Sequence, residues 1–139
     1  MRILAWSPHL TKERTDDAGV ELAPSKEELF KRADLVSIHI VLSPTTRHLV
    51  TASDLALMKP TALLINSSRG PIIEEAALLK VLSTGEIAGA GLDVYDIEPL
   101  PLDHPFRKLS NVTLSPHNGY VSDDQFKVTP QNLSSSCTS

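Results

Sequence analysis

The feature that most constrains the fold is the alternation, from Arg2 to about Leu114, of short apolar runs with longer amphipathic stretches. The runs are Ile3-Leu4-Ala5-Trp6, Val20-Glu21-Leu22, Leu35-Val36-Ser37-Ile38-His39, Ala62-Leu63-Leu64-Ile65-Asn66, Ala88 to Val94, and Val112-Thr113-Leu114. Apolar residues on consecutive positions mark strands buried on both faces, the situation of parallel strands between helical layers. Strand, helix, strand order with right-handed crossovers predicts an α/β fold with a doubly wound parallel sheet and helices on both faces. Such sheets bind ligands beyond the carboxyl ends of their strands. The segments to inspect are therefore Ser7 to His9, Ile40 to Thr46, Ser67 to Gly70, Asp93 to Glu98 and Ser115 to Tyr120. The connection from Ile40 to Val50 is long for a strand-to-helix loop, and long loops tend to carry function.

The amphipathic stretches carry their own start and stop signals. Ser25 with Glu28 forms a capping box for a helix running to about Ala33, and Thr51 with Asp54 repeats it before Leu55-Ala56-Leu57-Met58, which Pro60 prevents from continuing. Glu74 and Glu75 suit the positive end of a helix dipole; Leu78, Leu79 and Leu82 form its apolar stripe, and Gly85 its left-handed terminus.

Composition narrows the classes of function. The 139 residues, 41% hydrophobic and 22% charged, suit one soluble domain. Net charge is −4 and the basic residues are scattered, so nucleic acid is not an expected partner. The single cysteine, Cys137, excludes an intrachain disulfide and points to a reducing compartment. Apolar runs fall far short of the ~20 residues that span a bilayer, and no signal peptide opens the chain, so a cytoplasmic protein without membrane contact is expected.

Three predicted strand ends read Asn66-Ser67-Ser68-Arg69-Gly70-Pro71, Leu92-Asp93-Val94-Tyr95-Asp96-Ile97-Glu98-Pro99 and Ser115-Pro116-His117-Asn118-Gly119-Tyr120. In this order they resemble the successive signatures of the D-isomer-specific 2-hydroxyacid dehydrogenases. The similarity covers roughly residues 1 to 126, which would form a partial dinucleotide-binding domain of Rossmann type. The resemblance implies an NAD(P)-dependent oxidoreductase acting on a small 2-hydroxy or 2-keto acid, with catalytic residues Arg69, Glu98 and His117. The chemistry is coherent. Arg69 offers a planar fork for the substrate carboxylate. His117 is suited to exchange a proton with the neighbouring oxygen, and by family analogy Glu98 pairs with it and fixes its tautomer. An amide is expected at this position in related formate-oxidising enzymes, so Glu98 points to the hydroxyacid branch.

The resemblance also distributes the cofactor contacts. Ser7 stands near the position where the family often has an aspartate for the adenosine ribose. Its lack of charge, with Lys12 and Arg14 nearby in sequence, admits NADP as well as NAD. Val41, where the family commonly has proline, and Thr46 match loop positions lining the adenosine and phosphate region. Ser67 and Ser68 lead into Arg69, and Asp93 would accept from the nicotinamide carboxamide. No metal site is expected, and His9, His39, His48 and His104 are taken as structural or surface residues. Relatives pair through this domain, so a homodimer is anticipated.

The fingerprint G-x-G-x-x-G is absent, and Gly89-Ala90-Gly91 lies within a predicted strand, where close backbone packing explains it better. In the family the phosphate loop follows a first, central strand immediately upstream of what is here Met1. The sheet is therefore expected to be incomplete, with open edges at Ile3 to Trp6 and at Leu35 to His39 unless these close on each other or a second chain fills the gap. The chain alone is expected to bind cofactor weakly. Residues 127–139 turn Ser-rich and read as a disordered or aberrant tail. Two further possibilities stand beside the enzyme: a catalytically inactive fragment, and a corepressor-like dinucleotide sensor retaining the same three residues.

Overall fold

A computed structural model describes residues 1–119. Tyr120 and the predicted tail lie outside the described residues. Strands form at every apolar run: β1 (Leu4–Ala5), β2 (Glu21–Leu22), β3 (Leu35–Ile38), β4 (Leu63–Asn66), β5 (Gly89–Leu92) and β6 (Val112–Leu114). All pairings are parallel. They divide into a two-stranded sheet, β1-β2, and a four-stranded sheet in the order β3-β4-β5-β6. β1 and β3, whose edges were expected to be open unless they closed on each other, do not pair with each other. The α/β, Rossmann-like architecture is as expected.

The cap predicted at Thr51 forms a full capping box, whereas at Ser25 only the hydroxyl half operates and the Glu28 carboxylate faces Lys31 at 3.7 Å. Ser25 accepts from the Glu28 N–H at 3.1 Å at the start of α2 (Lys26–Arg32), and the Thr51 N–H and hydroxyl both donate to Asp54 at the start of α3 (Ala52–Ala56). Asp54, 3% exposed, also pairs with Lys26 at 2.9 Å, so its buried charge is neutralised. After α4 (Glu75–Ser83) the chain turns at Gly85 with φ of 71°. One helix escaped prediction, α1 (Lys12–Ala18). It presents no apolar stripe and buries only Thr15, so hydrophobic periodicity could not reveal it; its caps, Thr11 and left-handed Gly19, were the available signals.

Strand alternation directs Val36, Ile38, Leu64, Ala90 and Leu92 to one face of the larger sheet. Phe30 of α2, Leu55 of α3, and Leu78 and Leu82 of α4 share that core with Phe106. On the opposite face Leu35 and Leu63 remain 53% and 42% exposed. The expectation of strands buried on both faces is thus corrected: α2, α3 and α4 all pack on one side. The Gly89-Ala90-Gly91 segment is close packing, as expected. A Cβ on Gly89 would lie 2.5 Å from the Asn111 carbonyl oxygen, and one on Gly91 would lie 2.9 Å from the Ile65 side chain.

Candidate active site at the sheet rim

Parallel register aligns Asn66, Leu92 and Leu114 across β4, β5 and β6. The segments that follow therefore leave the sheet along one rim, and these carry Arg69, then Asp93 to Glu98, then Ser115 to Gly119. Gly70 makes the first two meet. A Cβ there would lie 2.1 Å from the Tyr95 carbonyl carbon, so only glycine lets the loop bearing Arg69 rest on the backbone of Tyr95 and Asp96.

Glu98 and His117 are hydrogen-bonded, Oε2 to Nδ1, at 2.6 Å. The second oxygen of Glu98 accepts the Tyr95 N–H at 3.0 Å. Partial burial pushes the Glu98 carboxyl upward, but the bonds from His117 and Tyr95 and the charges of His117 and Arg69 together hold it below the usual range. An ionised carboxylate only accepts, so Nδ1 of His117 must donate, which fixes the tautomer. Arg69 is exposed, with one guanidinium nitrogen donating to the Ser68 carbonyl at 2.6 Å.

The loop that carries His117 is itself braced. His117 adopts φ of 57°, a left-handed conformation uncommon for a side chain of this size, and strain of this kind concentrates at functional positions. Asp93, 9% exposed, accepts from the N–H groups of Asn118 at 3.0 Å and Gly119 at 2.8 Å. Burial raises the Asp93 carboxyl, yet the Ser115 hydroxyl, these two N–H groups and the charge of His117 outweigh it and lower its pKa. The resemblance implied only a contact from Asp93 to nicotinamide. Here both oxygens already hold the His117 loop.

The cofactor candidates are more dispersed. Ser7 follows β1, partly exposed, and Val41 follows β3, 81% exposed. Thr46 is buried; its hydroxyl donates to the Val41 carbonyl at 2.7 Å and accepts the Ser43 N–H at 2.7 Å, so it shapes the long loop from within. Ser68 donates to the Ile40 carbonyl at 2.5 Å, tying the ends of β3 and β4 together, while Ser67 is exposed. Lys12 is engaged by Asp16 at 2.7 Å. The rim suits a nicotinamide dinucleotide in part. It has an apolar surface at Val41 and a carboxylate acceptor at Asp93, but no described helix starts from a glycine-rich turn. No helix of the described residues is long and apolar enough to cross a membrane, and no group of three metal-ligating side chains occurs among them.

Sequence reasoning overlooked Tyr95 and Arg107. Both line a cleft of about 320 Å³ that also borders Glu98 and His117. Tyr95 could have been noticed as the one aromatic residue inside the Asp93 to Glu98 motif; Arg107 carried no signal.

A sequence profile of the D-isomer specific 2-hydroxyacid dehydrogenase NAD binding domain matches residues 1–119. The D-3-phosphoglycerate dehydrogenase of Methanocaldococcus jannaschii is 41% identical over 91% of this chain, and the glyoxylate reductase of Korarchaeum cryptofilum is 43% identical over 89%. The chain spans 24% and 37% of those two relatives. Among solved structures, the D-isomer specific 2-hydroxyacid dehydrogenase from Xanthobacter autotrophicus Py2, in complex with NADPH and MES, superposes with a TM-score of 0.68 at 37% identity, covering 71% of this chain and 33% of that one. The ordered motifs, the parallel sheet and these likenesses agree: the chain belongs to the D-isomer specific 2-hydroxyacid dehydrogenase family and carries its NAD-binding domain.

Proposed function

We propose that the protein is an NAD(P)-dependent oxidoreductase that interconverts a small 2-hydroxy acid and its 2-keto acid, acting on the CH–OH group. The observation that carries this is the 2.6 Å pair of Glu98 and His117 on the rim that also bears Arg69. The nicotinamide dinucleotide, when bound, accepts or supplies the hydride. Arg69 binds the substrate carboxylate through its planar fork and so orients the reacting carbon. Nε2 of His117 takes the hydroxyl proton in oxidation and returns it in reduction, a role typically worth ~10²–10⁴ in rate. Glu98 holds the imidazole in the tautomer this requires and stabilises its protonated form. Ser7, Val41, Thr46, Ser67, Ser68 and Asp93 form the dinucleotide side, with NAD or NADP accepted at Ser7, which carries no charge to repel a 2′-phosphate.

The test is oxidation of NADH or NADPH by the protein in the presence of glyoxylate. Turnover that is lost in Arg69→Ala is expected; dinucleotide binding without turnover would contradict the enzyme and favour a sensor. Calorimetric titration of the chain alone with either dinucleotide is expected to give weak binding, since the described helices offer no glycine-rich phosphate turn. A homodimer belongs to the same proposal, and sizing chromatography tests it.

A further inference from the structure

The Glu98–His117 pair connects loops from two different strands, and one buried side chain touches both. Tyr95 is 6% exposed. Its hydroxyl lies 2.9 Å from the Leu92 carbonyl at the end of β5 and 2.6 Å from the Ser115 carbonyl just after β6. The Ser115 N–H, whose nearer acceptor is the Leu92 carbonyl at 2.9 Å, makes a second, longer contact to the hydroxyl at 3.1 Å. A phenol has one proton to give, and the shorter contact assigns it to Ser115. Two residues beyond Ser115 stands His117, in its left-handed conformation. The backbone of the same tyrosine donates to Glu98 at 3.0 Å. Tyr95 therefore grips the carboxylate through its main chain and the imidazole's loop through its side chain.

We infer that Tyr95 is a positioning residue: its hydroxyl locks the two strand ends at the separation that closes the Glu98 to His117 hydrogen bond. Its relevance to catalysis rests on the dehydrogenase function proposed above, but the lock itself is a property of the chain and is measured without turnover. β5 and β6 already pair along their ladder, and the Ser115 N–H donates to the Leu92 carbonyl at 2.9 Å. What the hydroxyl adds, and an aromatic ring alone would not, is a hold on the Ser115 carbonyl two residues before His117.

The probe is Tyr95→Phe, read by NMR on the full chain. Two quantities are followed: the carboxyl titration of Glu98 and the exchange of the His117 Nδ1 proton with solvent. With the lock removed, the Glu98 titration is expected to move up toward the ordinary value. The Nδ1 proton is expected to exchange roughly fivefold faster, the population change for one lost net hydrogen bond. Ile87→Val serves as the control. It thins the buried core ahead of β5, at the opposite end of that strand from the rim, and is expected to lower thermal stability while leaving both quantities unchanged. A folded Tyr95→Phe variant with wild-type values overturns the inference, as does an Ile87→Val variant that moves them equally. Should Tyr95→Phe not fold, a trifluorotyrosine at position 95 keeps the ring and lets the phenol ionise at lower pH. Nδ1 exchange must then accelerate as that phenol loses its proton, and exchange indifferent to the phenol's state refutes the lock.

Discussion

The four-stranded half of the molecule and the two-stranded half are supported to different depths. Around β3 to β6, Leu64, Ile72 and Ile87 are fully buried and Phe106 is 2% exposed. Around β1, α1 and β2, the nearly fully buried residues are Thr15 and Ala23, while Ile3 is 52% exposed. Arg69, Glu98 and His117 all stand on the deep half, and Ser7 stands on the shallow one. The proposed proton chemistry thus rests on the more deeply buried frame, whereas the position proposed to meet the adenosine ribose rests on a pair of two-residue strands whose sheet does not join the rest.

The contrast can be broken from either side. Phe106→Ala removes a buried ring and is expected to cost about 3–5 kcal/mol, detectable as a drop in the chemical-denaturation midpoint. Leu22→Ala, on the half-buried edge of the shallow part, is expected to cost less than ~2 kcal/mol and to leave the Glu98 titration untouched. Equal costs would contradict the asymmetry. Native-state hydrogen exchange sharpens it further. Amides of β4 and β5 should open with a free energy ~2 kcal/mol or more above those of β1 and β2, since local openings track buried contact.

Acid sensitivity is the smallest of these effects and belongs to the deep half. The folded pKa of Glu98 lies below its ordinary 4.5. Its contribution to stability is therefore fully present above pH 4.5 and is lost as pH falls through the lower folded value. Glu98→Gln should flatten the loss of thermal stability with acid in that window. An unchanged acid limb would show that the carboxylate is not held as described.

Much of this was legible in the residues, for stated reasons. Consecutive apolar positions marked every strand, although one face of β3 and β4 proved exposed, and Ser25, Thr51 and Gly85 revealed helix ends because caps need particular side chains and φ values. Arg69, Glu98 and His117 were recognisable since each follows a strand within an ordered motif. What escaped was whatever local patterning does not encode. Helix α1 lacks an apolar stripe, the one-sided covering of β3 and β4 depends on where distant helices pack, and the engagement of Asp93 with Asn118 and Gly119 joins residues far apart in sequence. Tyr95 belongs to the same class, since its partner Ser115 lies on another strand end.

The most direct examination of the account is nitrogen NMR of the His117 ring in the wild-type chain and in Glu98→Ala. The account predicts that the neutral form of the ring carries its proton on Nδ1 in the wild type, with that preference lost when the carboxylate is removed. A neutral form protonated at Nε2, or a spectrum identical in the two proteins, would contradict it.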